Sequence, residues 1–253
     1  MRRIDVITLV GILCVLALIL VVSLNWLMQS TADGGRGSNG SQLRGIHQGM
    51  VVYAQSNKGH YPGIDSTGVL MDSTLSGQLA ILMDTNWVTP DYVINPRDRH
   101  LTEAIDYGSG YVVSIFNHSY AGLDLTIAGG RVNAWSETMS SSEVVLGDRN
   151  TGSDANENVK SVWTSTVGDW RGMIVRNDNS LDHEKTHRVD TEYAEPLSAV
   201  SVTRHAFPED NIFEAVGPHD AWLVQDCLVA ATRCVAGKRG GGLRAGVPAA
   251  IAF

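Results

Sequence analysis

Residues 42–62 read QLRGIHQGMVVYAQSNKGHYP, and the reading of this stretch decides the fold. Leu43, Ile46, Met50 and Tyr53 recur at helical spacing, and Val51 and Ala54 widen the stripe, so an amphipathic helix is predicted over Gln42–Asn57. Gly45 and Gly49 each weaken it by about 1 kcal/mol relative to alanine. Asn57-Lys58-Gly59 supplies the stop signal.

Upstream, Gln29–Ser41 reads QSTADGGRGSNGS, small and polar throughout, which predicts a flexible linker. Before it, Val6–Met28 carries no Asp, Glu, Lys, Arg or His. A bilayer core needs about 20 apolar residues in a helix, and the run exceeds the roughly 7–15 of a cleavable signal. It is apolar all round, unlike a helix with one buried face. Residues 1–28 are therefore expected to form a transmembrane anchor in the lipid bilayer. Arg2 and Arg3 precede the run and Arg36 alone follows it closely, which sets the N-terminus in the cytoplasm and the rest outside, as a single-pass inner-membrane protein.

Downstream, Leu79, Leu82 and Met83 predict a second helix over Ser76–Trp87. Strand signals follow at Tyr111–Phe116, Leu123–Ile127, Glu143–Leu146 and Gly172–Val175, each bounded by Gly, Asn or Asp. Gly129-Gly130 and Asn177-Asp178-Asn179 predict turns, and Thr151–Asn158 a polar loop. Helical spacing returns over Ala221–Val235, and the Gly- and Arg-rich end predicts a frayed tail. The expected organisation is an anchor (1–28), a linker (29–41), one extracytoplasmic domain (42–220) and a C-terminal helix with a disordered tail (221–253). A formal net charge of −8 and a pI near 5.4 exclude a nucleic-acid groove, which needs clustered Lys and Arg. Cys14 falls in the apolar run. Cys227 and Cys234, about 10 Å apart along a helix axis, read as separate small apolar residues unless the segment bends to allow a disulfide.

The sharpest chemical motif is His183-Glu184-Lys185-Thr186-His187, which satisfies H-E-x-x-H. On a helix the two imidazoles, one turn apart, would face one zinc ion while Glu184 activates water. Its surroundings argue against that helix, because Asn177–Asp190 offers only Leu181 and Val189 as an apolar face. Glu192, Glu195 and His205 are the available third ligands. Asp65, Asp72 and Asp84 lack calcium-loop spacing and read as turn and cap residues. His47 and His60 read as exposed or hydrogen-bonded side chains. Trp135, Trp163 and Trp170 read as core or sheet-packing residues before a sugar platform. Serine-hydrolase and nucleotide-binding signatures do not occur.

The run from Leu43-Arg44-Gly45-Ile46 through Tyr53-Ala54 to Asn57-Lys58-Gly59-His60-Tyr61-Pro62 resembles bacterial pilin-like proteins of the type IV pilin and type II secretion pseudopilin kind. Val145-Leu146-Gly147-Asp148-Arg149, Trp170-Arg171-Gly172, Asn177-Asp178-Asn179 and Asp210-Asn211-Ile212-Phe213 look similar as well. Ile7–Leu13 aligns with the prepilin-type N-terminal motif, except that Gly11 stands for its assembly glutamate and Val6 for the glycine before its cleaved bond. The resemblance therefore implies an unprocessed anchor. It also implies an α+β fold, with an N-terminal transmembrane helix, a linker and a pilin-like domain whose helix packs on an antiparallel sheet. The function it implies is a non-enzymatic, periplasmic assembly or scaffolding role without cofactor or metal, its partners other pilin-like subunits or secretion components. The alternatives are a membrane-anchored zinc metallohydrolase using His183 and His187 with Glu184 as base, and an anchored periplasmic binding module.

Overall fold

A computed structural model describes residues 16, 19, 36–125, 135–164, 166–194, 204–214 and 220–225. The chain divides into two compact units, Met1–Ser41 and Gln42–Phe253.

The expected transmembrane anchor is corrected. Among the described residues no helix is long and apolar enough to cross a membrane, and of Val6–Met28 only Leu16 and Ile19 belong to them. The long described helix, α1 (36–56), shows why it does not qualify. It carries Arg36, Arg44 and His47, and its apolar residues keep to one stripe, the signature of a helix packed on a protein core. The single-pass inner-membrane placement is corrected with it, and among the described residues the fold is a sheet-rich body with two α-helices. The linker boundary moves too. Residues 36–41 are helical, with Ser41 Oγ donating to the Gly37 carbonyl at 2.9 Å, while residues 29–35 lie outside the described residues.

In the second unit, the predicted stripe of α1 is buried: Leu43, Ile46, Met50 and Ala54 are at most 1% exposed. The helix stops where expected. Lys58 and Gly59 take left-handed backbone angles, φ 54° and 86°, and the Asn57 amide donates to the carbonyls of His60 and Ile64. Helix α2 (Leu75–Asp84) begins at Thr74, whose hydroxyl accepts the Gly77 N–H at 3.1 Å. Asp72 in turn accepts the Thr74 backbone and hydroxyl protons.

Among the described residues nine strands follow: β1 (Ile105–Asp106), β2 (Tyr111–Val112), β3 (Tyr120–Leu123), β4 (Val144–Asp148), β5 (Gly172–Arg176), β6 (Leu181–Glu184), β7 (Arg188–Ala194), β8 (Arg204–Asn211) and β9 (Leu223–Val224). An antiparallel sheet of order β6-β5-β4-β3-β9 forms the body. Its central strands are covered on both faces, so they read as unbroken apolar runs. Tyr120, Leu123, Val145, Leu146, Met173 and Val175 join the cluster built with α1 and α2. Ala121, Val144 and Ile174 face a second cluster with Val159, Trp170, Ile212 and Phe213. Strands β1 and β2 form a small hairpin, and β7 and β8 a separate ribbon.

The predicted C-terminal helix is corrected over its described part. Leu223–Val224 is a strand paired with Gly122–Leu123, because the free edge of β3 offers backbone partners that outweigh a short helical preference. Residues 226–253 lie outside the described residues, as does the predicted Gly129-Gly130 turn. The predicted strand at Tyr111–Phe116 is shorter, ending at Val112.

Gly147 sits in β4 where a Cβ would lie 2.9 Å from Leu223 Cδ1, 3.1 Å from Ile174 Cγ2 and 3.2 Å from the Met173 carbonyl. Gly147→Ala is expected to cost about 1–3 kcal/mol through overpacking. A urea unfolding midpoint equal to that of the parent chain would refute this.

Candidate functional site

The H-E-x-x-H segment is built as strand and turn. His183 and Glu184 are the last residues of β6, paired with Met173 and Gly172, and His187 lies in the bend just before β7. Alternation along a strand does not stack residues i and i+4 on a helical face, so the geometry that made the motif a zinc site is not formed. His183 is exposed, while His187 is buried and only 7% exposed. Burial, with Arg188 beside it, lowers the His187 pKa below the ordinary imidazole value. Burial, reinforced by Asp182, raises that of Glu184. Among the described residues no group of three or more His, Cys, Asp or Glu is placed to hold a metal ion. Glu192 and His205 fall on β7 and β8, and Glu195 lies outside the described residues.

Of the other acidic candidates, Asp65 serves its own loop, accepting the Thr67 and Val69 backbone N–H groups, whereas Asp84, at the end of α2, accepts the N–H of Tyr111 in β2, 27 positions on. Asp154, in the predicted polar loop, accepts from the backbones of Asn156 and Asn158. The Asn158 N–H donations come first among the causes that hold its carboxyl at about 2. Trp135 and Trp170 are core residues at 0% and 1% exposure. Trp163 donates its indole N–H to Asp148 at 2.9 Å, with Arg97 over its ring.

A buried polar lock that sequence reasoning missed fastens α1 to the turn between β5 and β6. His47, fully buried on the helix, has Nδ1 3.3 Å from Asn179 Oδ1 and Nε2 3.3 Å from the Tyr61 hydroxyl. That hydroxyl donates to Asn177 Oδ1 at 2.7 Å, and the Asn177 amide donates to the Met139 carbonyl at 2.9 Å. Burial lowers the imidazole pKa below its ordinary value and raises the phenol's. The Asn177-Asp178-Asn179 turn signal was the one legible component, and Asn179 does adopt a left-handed φ of 63°.

The lock and the buried stripe leave the opposite side of α1 free of the sheet. There Gly45, Gln48, Gly49 and Val52 face Trp87, Val88, Thr89 and Tyr92 across an open groove of about 340 Å³. The two glycines that looked like helix defects set its shape. A Cβ on Gly45 would lie 2.5 Å from Tyr92 Cε1, and one on Gly49 3.1 Å from Val88 Cγ2. Trp87 stands 47% exposed at this groove, where an indole offers a large apolar face to a partner. No protein-family model, curated protein or solved structure matches this chain.

Proposed function

We propose that this chain is a non-catalytic, pilin-like assembly or scaffolding protein, and that the groove along α1 is its contact surface. The observation that carries the reading is the division of α1 into two used sides. One is sunk in the core and pinned by His47; the other, glycine-notched, borders an aromatic groove of a size that receives side chains from a partner. An amphipathic helix laid into an apolar groove is a recurring recognition mode. The likeness of Leu43–Pro62 to pilin-like helices supports a helix of another pilin-like subunit, or of a secretion component, as occupant.

The test is a photoreactive residue at Gln48, which is exposed at the groove, in the cells that make the protein. The expected result is a discrete crosslink to another pilin-like subunit. Trp87→Ala should reduce its yield at least tenfold, since a buried interface aromatic commonly contributes 2 kcal/mol or more. A crosslink that persists undiminished in Trp87→Ala, or none at all, overturns the proposal.

A further inference from the structure

We propose that the C-terminal segment Lys238–Phe253 docks in cis on the outer face of the β1–β2 hairpin. This face shares no residue with the α1 groove. Ile105 and Val112 are cross-strand partners, so their side chains project to the same side, and Tyr107 is in phase with Ile105. All three are exposed, at 58%, 60% and 66%, and Phe116, four residues beyond Val112, is 54% exposed. A hairpin with two paired positions and an apolar outer face gains stability when something covers it.

Two observations identify the cover. The first is where the described chain ends. The side-chain amide of Gln225 donates to the Ile115 carbonyl at 3.3 Å, which sets the exit toward the C-terminus beside the segment that follows β2. Thirteen further residues lead to Lys238, and an extended chain of that length reaches about 45 Å, ample for an adjacent face. The second is charge. Residues 101–116 contain Glu103 and Asp106, both exposed, and neither Lys nor Arg. Residues 226–253 contain Arg233, Lys238, Arg239 and Arg244 against Asp226 alone, and end in Val247, Ile251 and Phe253. Apolar residues would cover the hairpin while the basic ones meet its acidic rim. Two copies joined through this face would instead oppose acid to acid.

The test uses the full chain with p-benzoylphenylalanine replacing Tyr107, irradiated in dilute solution, with the crosslinked peptides mapped by mass spectrometry. Intramolecular crosslinks to residues 238–253 are expected. Glu103→Lys with Asp106→Lys should lower their yield at least fivefold, and adding Lys238→Glu with Arg239→Glu should restore it. Circular dichroism checks that the exposed substitutions leave the body folded. Crosslinks to a second copy, no peptide crosslink, a yield indifferent to charge reversal, or failure of the swap to restore it each overturn the proposal.

Discussion

Trp135→Ala is expected to destabilise the body by about 3–5 kcal/mol, the range for deleting a buried large aromatic. The indole is fully buried and meets the Tyr61 ring edge-on, with centroids 5.2 Å apart. Its N–H donates to the Pro62 carbonyl at 2.9 Å, while its own backbone carbonyl accepts the Tyr61 N–H at 3.2 Å. Trp135 therefore fastens the chain just after α1, at the residue whose hydroxyl completes the lock to Asn177. Removing the ring leaves a cavity, an unpaired Pro62 carbonyl and a Tyr61 free to withdraw from His47. Against a typical total stability of 5–15 kcal/mol the loss is large. Urea unfolding should show a much lower midpoint, with Trp135→Phe intermediate. An alanine variant as stable as the parent would show that the lock does not depend on this packing.

Raising the pH from about 4 to 7 is expected to destabilise the fold through Asp210, and Asp210→Asn to remove that slope. The carboxyl is 5% exposed at the base of the β7–β8 ribbon. Burial, with Asp220 nearby, pushes its pKa up to about 7, although the Thr191 hydroxyl, donating at 2.6 Å, and Arg188 pull the other way. The unfolded carboxyl titrates near 3.9. Between the two values the folded protein keeps a proton that the unfolded chain has released, so stability falls as pH rises. The cost is absent below about pH 4 and complete above about 7, and the folding equilibrium changes by at most tenfold per pH unit for one proton. Asparagine can still accept from Thr191 without ionising. Unfolding midpoints at pH 5 and 8 should separate for the parent and draw together for Asp210→Asn; an equal separation in both would refute the assignment.

Much of the secondary structure was legible because its signals are local. The 3.6-residue stripe marked α1, Asn57-Lys58-Gly59 its end, and short apolar runs marked β4 and β5. The β6 strand was not legible, because its residues after Leu181, including His183 and Glu184, are polar and exposed or half-buried. The same polarity made His183–His187 look like a metal helix, and strand pairing with β5 decided otherwise. In β7 the buried Val189, Thr191 and Tyr193 alternate with Arg188, Asp190 and Glu192, a strand signal that sequence reasoning missed.

The amino-acid sequence by itself determined the inner face of α1, its stop, the turn at Asn177–Asn179 and the acidic balance of the chain, all of which depend on spacing and on neighbours a few residues away. Tertiary structure alone decided that α1 reaches back to residue 36 and that Leu223–Val224 closes the sheet edge. It also decided that His47 meets Asn179 across 132 positions, that Gly45 and Gly49 let Tyr92 and Val88 approach α1 closely, and that burial raises the Asp210 pKa to about 7. Each of these turns on burial and on partners brought together across the fold, and neither is encoded in the spacing of residues along the chain.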